Sequence, residues 1–308
     1  MKKVFIDGSA GTTGLRIYER LAARADLSLI TLQGEDRKDP KARCAAIAEA
    51  DIAFLCLPDD AARESVALAE GSDTVIIDTS TAHRTNPAWA YGFPELAGAR
   101  EKIAASRRIA NPGCHASGFV ALVAPLVRAG IIARDARLSA FSLTGYSGGG
   151  KKMIAEYEDG ELPLYYDAPR TYGLAQKHKH LPEMCAVTGL DTPPVFQPVV
   201  APYYAGMEVS VPLHEADVKG TAADVRECLA AAYPAGMVRY CEDSEDGFLS
   251  ASFMEGRDDM IVTVTGNDER ILLVSRFDNL GKGASGAAIQ NMNIVLGLAE
   301  DTGLVKGN

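Results

Sequence analysis

Cys114 ends the tetrapeptide Asn111-Pro112-Gly113-Cys114, between an expected strand, Arg108–Ala110, and a run, His115–Ala129, in which Phe119, Val120, Val123 and Val127 recur at helical spacing. That places the sulfur at a helix N-terminus, where unpaired amides and the positive end of the helix dipole favour thiolate over thiol. A thiolate so placed can attack a carbonyl carbon and carry the acyl group as a thioester. The other five cysteines, Cys44, Cys56, Cys185, Cys228 and Cys241, lack this setting; Cys56 reads as a small core residue of a strand, and Cys44 and Cys228 as helical. No C-x-x-C pair or zinc spacing occurs, so the sequence implies no metal site and a reducing, cytoplasmic environment.

Thioester chemistry needs a group that moves protons near neutral pH, and imidazole is the side chain suited to it. The segment Lys177-His178-Lys179-His180-Leu181-Pro182-Glu183 holds two of the five histidines, with an acid that could orient one ring. An exposed loop pair of histidines and a His-x-His metal half-site are the other readings of the same residues. Two further segments suit an anion. Gly145-Tyr146-Ser147-Gly148-Gly149-Gly150-Lys151-Lys152 offers successive amides with Ser147 and Gly148 near two cations, and Ser80-Thr81-Ala82-His83-Arg84 offers hydroxyls and Arg84. A flexible glycine turn and a surface arginine would look the same in sequence.

A glycine loop comes first in the chain. Gly8, Ser9, Gly11, Thr12, Thr13 and Gly14 follow the strand Val4–Ile6 and open the helix Thr13–Ala25. In a βαβ unit this context marks a dinucleotide site, because glycines allow the tight turn and let helix N-terminal amides approach a pyrophosphate. The spacing is G-x-x-G-x-x-G, a variant of the commoner pattern. No acid ends the second strand; Leu32-Gln33-Gly34 comes first and Glu35-Asp36-Arg37-Lys38 follows, so Arg37 or Lys38 could meet the 2′-phosphate of NADP. The two acids beside them suit a solvated charged loop equally.

These residues need elements to hold them. Apolar strands Leu27–Leu32, Ile52–Leu57, Val75–Asp78 and Arg108–Ala110 alternate with helical patterns Lys41–Ala50, Ala61–Glu70 and Leu96–Ala105, the rhythm of a parallel sheet buried on both faces. After Gly130 the rhythm changes. Arg137–Thr144, Val195–Val200, Glu208–Leu213, Met260–Thr265 and Ile271–Phe277 read as strands with no helix between successive pairs, and Gly266-Asn267-Asp268 as a hairpin turn. The fold class is α/β: a Rossmann-type parallel-sheet domain over residues 1–113, completed by a long helical run from Lys282 to Glu300 within 282–308, and a mixed or antiparallel α+β catalytic and oligomerisation domain over 114–281. The 308 residues, 47% hydrophobic and with net charge -10, leave no basic stripe for nucleic acid, and no apolar run reaches membrane-spanning length.

Together the glycine loop, Asn-Pro-Gly-Cys, Gly-Tyr-Ser-Gly-Gly-Gly, His-Lys-His-Leu-Pro-Glu and Asn279-Leu280-Gly281-Lys282-Gly283-Ala284-Ser285-Gly286 follow the order found in the semialdehyde dehydrogenase superfamily. Within it the chain resembles N-acetyl-gamma-glutamyl-phosphate reductase, in the shorter of its two length forms, from Gly8 to the last helix. The resemblance implies an NADP-dependent acyl-phosphate reductase of arginine biosynthesis with Cys114 as nucleophile, His178 as acid/base and Glu183 supporting it. It also implies a cofactor loop at Gly8, Gly11 and Gly14, with Asn279, Lys282 and Gly283 toward the nicotinamide. Arg84, Asn111, Ser147, Gly148 and His180 are the expected substrate contacts; the ligands are an acyl phosphate or semialdehyde and phosphate, and the assembly is a homodimer or homotetramer. His180 rivals His178. The chain departs from the family after the cysteine, where His115 replaces the usual tyrosine, adding a third imidazole beside the sulfur. A sister reductase of the aspartate-semialdehyde or aminoadipate type would need the same Cys/His pair, and in a non-catalytic NADP-binding regulator Cys114 would be a sensor thiol or a core residue.

Overall fold

The computed structural model describes residues 1–159 and 162–307, so Asn308, the end of the expected 282–308 segment, lies outside the described residues. Two compact units form, one from Met1–Gly113 with Ala284–Leu304 and the other from Cys114–Gly283 with the short tail that begins at Val305.

The first unit contains β1 (Lys2–Asp7), α1 (Thr12–Ala22), β2 (Leu27–Ile30), α2 (Pro40–Glu49), β3 (Ile52–Leu55), α3 (Asp59–Leu68), β4 (Val75–Asp78), β5 (Ala90–Tyr91), α4 (Ala99–Ala104) and β6 (Arg108–Ala110). Its sheet is wholly parallel, in the order β2-β1-β3-β4-β6-β5. Strand alternation accounts for the near-continuous apolar runs. Val4, Ile6, Ile52, Phe54, Ile77 and Ile109 share one core with Ile17 and Leu21 of α1 and Ile103 of α4, while Phe5, Ala53, Leu55 and Ile76 share a second with Ala46 and Ile47 of α2 and Ala62 of α3. Burial on both faces is what a parallel sheet requires.

The second unit begins with α5 (Cys114–Arg128) and continues through β7 (Ser139–Gly145), α6 (Gly150–Glu158), β8 (Arg170–Thr171), α7 (Leu181–Thr188), β9 (Val195–Ala201), β10 (Met207–His214), α8 (Ala222–Ala232), β11 (Val238–Tyr240), β12 (Met260–Gly266) and β13 (Arg270–Phe277). Its sheet runs β11-β12-β13-β10-β7-β9-β8 and is mixed, with β7/β9 and β11/β12 parallel and the remaining neighbours antiparallel. The long strands read from the sequence are present, and β12 and β13 pair as the hairpin expected at the Gly266 turn. Gly118 lets α5 lie close on this sheet: a Cβ there would come within 2.5 Å of Val209 and 2.7 Å of Ser275.

Two expectations need correction. Helices do separate strands of the second unit, α7 before β9 and α8 before β11. The start of α8 was legible in Thr221-Ala222-Ala223-Asp224, which closes a reciprocal capping box. The single helix expected from Lys282 to Glu300 is instead a π-helical turn, Gly281–Ser285, followed by α9 (Gly286–Val295), whose Ala288, Ile289 and Met292 join the first core of the first unit. Three glycines within six residues are poor α-formers and admit the wide turn, and Gly297, at φ 69°, closes the end. Among the described residues no helix is long and apolar enough to cross a membrane.

Candidate active site

Cys114 is the first residue of α5 and is partly exposed. Gly283 packs directly against it; a Cβ at 283 would sit 3.0 Å from the Cys114 Cβ and 3.2 Å from the Asp278 carbonyl. The turn carrying Gly283 is built on buried Asp278, whose Oδ1 accepts from the amides of Leu280 at 2.6 Å and Gly281 at 3.1 Å. An aspartate bonding its own downstream amides is a turn signal, carried here by Asp278-Asn279-Leu280-Gly281.

Three histidines form one cluster, and one of them, His115, follows Cys114 in the chain. Ring centroids of His178 and His180 lie 4.7 Å apart, and those of His115 lie 5.4 Å from His178 and 5.6 Å from His180. Phe196 of β9 closes the group, 5.3 Å from His115 and 5.2 Å from His178. The loop bearing His178 is tied to β9 by Gln176, whose amide donates to the Phe196 carbonyl at 2.7 Å and accepts its N–H at 2.9 Å. His178 Nδ1 accepts the backbone N–H of His180 at 3.2 Å, which leaves the proton of the neutral ring on Nε2. Burial, with Lys179 adding to it, lowers the His178 pKa below its ordinary value, so the ring is neutral at pH 7. His180, 5% exposed, stands at the N-cap of α7, and Glu183, 1% exposed, lies in the first turn, where the helix dipole favours an acid.

Two residues of this cluster carried no sequence signal of their own. Tyr172 follows β8 and meets His115 Nε2 at 2.5 Å, while Ser142 of β7 meets His115 Nδ1 at 2.7 Å. Burial raises the Tyr172 phenol well above its ordinary pKa, and charge on the Cys114 sulfur raises it further.

Ser147 and Asn279, expected at substrate and cofactor respectively, bond to each other: Asn279 Nδ2 donates to Ser147 Oγ at 3.0 Å, and Asn279 Oδ1 accepts the Gly206 amide at 2.9 Å. The successive amides offered for an anion at Gly145, Tyr146 and Ser147 already donate to the carbonyls of Gly206, Tyr203 and Tyr204 at 2.9–3.0 Å. Gly148 remains exposed, 3.3 Å from Thr144 Oγ1 by its added Cβ, and Lys282 is fully buried.

In the first unit, Asp7 ends β1 in a buried ion pair with Arg43, both nitrogens at 3.1 Å, and takes the Ser65 hydroxyl at 2.7 Å. Removing one partner of such a pair costs about 3–5 kcal/mol, so the strand end before the glycine loop is firmly held. Gly8 has φ 87°, and a Cβ there would overlap the Cys56 carbonyl, as one on Gly14 would overlap the Gly8 carbonyl. Gly11 differs: its nearest neighbour would be 3.5 Å away. It is the N-cap of α1, no side chain caps that helix, no acid lies in its first turn, and the enclosed Thr12 Oγ1 has no protein partner. Free helix N-terminal amides beside an unpartnered hydroxyl fit a pyrophosphate. Arg84 and Asn111 also lie in this unit. Arg84 donates to the carbonyls of Asn111 at 2.8 Å and Thr79 at 2.9 Å, and Asn111 bonds the Ala284 carbonyl at 3.1 Å and Asn291 at 3.2 Å. Among the described residues no group of three or more His, Cys, Asp or Glu is arranged to hold a metal.

Comparison with known proteins agrees with this geometry. Residues 3–106 match the family model described as the semialdehyde dehydrogenase NAD binding domain, and residues 114–279 that of the semialdehyde dehydrogenase dimerisation domain. N-acetyl-gamma-glutamyl-phosphate reductases of Brucella ovis and Brucella suis biovar 1 are each 46% identical over 306 residues, covering 96% of this chain and 99% of theirs. The crystal structure of aspartate semialdehyde dehydrogenase II from Vibrio cholerae superposes with a TM-score of 0.73 at 18% identity, covering 96% of this chain and 98% of that one. Aspartate semialdehyde dehydrogenase from Francisella tularensis gives 0.71 at 14% identity, covering 96% and 100%. The chain is thus an oxidoreductase with a nicotinamide cofactor, and it belongs to the N-acetyl-gamma-glutamyl-phosphate reductase group of the semialdehyde dehydrogenase family.

Proposed function

We propose that this chain reduces N-acetyl-L-glutamyl 5-phosphate to N-acetyl-L-glutamate 5-semialdehyde with release of phosphate, through a thioester on Cys114, as a step of arginine biosynthesis. The observation that carries the reading is the placement of Cys114 at the head of α5 next to His115, whose ring packs against His178 and His180, in a chain 46% identical to relatives of that name.

The Cys114 sulfur attacks the acyl carbon, the C–O bond to phosphate breaks, and phosphate departs with its electron pair. Bound NADPH supplies the hydride that the thioester carbon takes up. The first-turn amides of α5 face the oxygen that turns negative at both stages, and electrostatic stabilisation of this kind is the largest single contribution in acyl transfer. His178, the acid/base candidate, donates its Nε2–H as a hydrogen bond to that oxygen at both stages, and the oxyanion's electron pair re-forms the carbonyl as the carbon–sulfur bond breaks, its pair returns to sulfur and the aldehyde leaves. Glu183 and His180 hold the His178 loop, and Gly283 keeps the flank of the sulfur clear. Gly8, Ser9, Gly11, Thr12, Thr13 and Gly14 hold the pyrophosphate. Arg37, whose Nε is anchored on the Leu32 carbonyl at 3.1 Å, supports NADP over NAD by presenting its free guanidinium nitrogens to a 2′-phosphate.

We assign cofactor binding to residues 1–113 with the last helix, and catalysis and self-association to residues 114–283. The outer sheet face of the latter, with exposed Val195 and Leu272, supports a homodimer or homotetramer. A reduced thiol nucleophile suits the cytoplasm.

The test is reduced-nicotinamide formation from N-acetylglutamate semialdehyde and NADP, with and without phosphate, for the native chain and Cys114→Ser. Phosphate-dependent turnover abolished in the variant supports the reaction and the nucleophile. Faster turnover of aspartate semialdehyde moves the chain to the sister activity, and NADP binding without any turnover makes it a regulator.

A further inference from the structure

The imidazole beside the nucleophile has no part in the reaction written above, yet both of its nitrogens are engaged. His115 is 3% exposed, with Nδ1 2.7 Å from Ser142 Oγ and Nε2 2.5 Å from Tyr172 Oη. Burial, with His178 adding to it, lowers its pKa to about 3, so the ring carries one proton at neutral pH. One nitrogen then donates and the other accepts, which couples the two hydroxyls. If Ser142 donates to Nδ1, the proton resides on Nε2 and is donated to the Tyr172 oxygen. The phenol keeps its own proton, because burial and the Cys114 charge both oppose its loss, and that hydrogen is left over for an anionic acceptor.

We propose that His115 is a positioning residue for the nucleophile, linking Ser142 to Tyr172 so that the phenol O–H is held toward the Cys114 sulfur and the oxyanion formed beside it. The assignment rests on the thioester reading. A ring without two opposed nitrogens, such as phenylalanine, fills the space between Ser142 and Phe196 but breaks the link. The link needs a neutral ring, and the titratable groups packed against it, His178, His180 and Tyr172, carry no negative charge at neutral pH.

The experiment is the rate of Cys114 alkylation by iodoacetamide as a function of pH in the full-length protein, followed on the Cys114 peptide. It needs neither substrate nor cofactor. His115→Phe and Tyr172→Phe should each slow alkylation at neutral pH about tenfold and move its midpoint upward, and the double variant should be no slower than either single, because the two residues act in series. His115→Gln, which keeps a donor and an acceptor, should recover most of the rate. Unchanged midpoints, or effects that add in the double variant, overturn the proposal. Tyr172→Phe removes one oxygen from a packed ring and carries the test if His115→Phe fails to fold. If the native chain oxidises no semialdehyde while the alkylation shifts appear, the reaction assignment fails and the positioning role stands. Native turnover with unshifted variants gives the reverse.

Discussion

The backbone N–H of His180 donates to His178 Nδ1 at 3.2 Å, so one histidine of the pair fixes the tautomer of the other. The proton of the neutral His178 ring is therefore on Nε2, while His180 is buried at the start of α7. His178→Ala should lower kcat by about 10²–10⁴-fold, the usual contribution of a positioned acid/base, with little change in NADP affinity. His180→Ala retains the backbone donor and should lose clearly less. Steady-state kinetics of both variants, with NADP titrations as control, decide the assignment; an equal or larger loss at His180 reverses it.

The glycine loop separates fold from function at two positions three residues apart. A Cβ on Gly14 has no room beside the Gly8 carbonyl, whereas one on Gly11 stays 3.5 Å from every protein atom around it. Gly14→Ala should therefore lower thermal stability as well as cofactor binding, since an overpacked backbone contact costs about 1–3 kcal/mol. Gly11→Ala should keep the melting temperature and lose at least about tenfold in cofactor affinity through contact with the pyrophosphate. Melting curves and fluorescence titrations of the two variants test this, and a Gly11→Ala protein that binds as the native chain does refutes the placement of the pyrophosphate.

What the sequence made legible was local. Cys114 could be placed because its helix follows in the next fourteen residues, and Gly8, Gly11 and Gly14 because strand, turn and helix lie within a single span. Both units were recognisable from the change in rhythm after Gly130. The partners of His115 were not legible, since Ser142 and Tyr172 are 27 and 57 residues away and meet it only through strand pairing and the β8–α7 loop. Ser147 and Asn279 meet across 132 residues. Their mutual bond left no trace in either neighbourhood. Short elements such as β5 and β8 escaped because two residues carry no period.

Arg37 gives a test of cofactor choice. Its Nε is held by the Leu32 carbonyl, so the rest of the guanidinium is presented from a fixed point just beyond β2. Arg37→Ala should lower kcat/KM for NADP by about 10–100-fold, the range of one charge-assisted hydrogen bond to a phosphate, and leave NAD nearly unchanged. An equal loss with both cofactors assigns the effect to loop structure.

His115 also makes stability depend on pH in a defined direction. Its folded pKa is depressed to about 3, against about 6.5 in the unfolded chain. Above the unfolded value neither state is protonated at this ring, and its contribution to stability is complete. As pH falls below about 6.5 the unfolded chain takes up the proton and the folded chain does not. The contribution is therefore lost progressively down to about pH 3, amounting to about 2 kcal/mol by pH 5. His115→Gln removes the titration, so the melting temperature of the variant should fall less steeply than that of the native chain between about pH 7 and 5. Parallel curves would mean that the ring gains its proton in the folded state over that range, and the neutral link between Ser142 and Tyr172 would not survive that result.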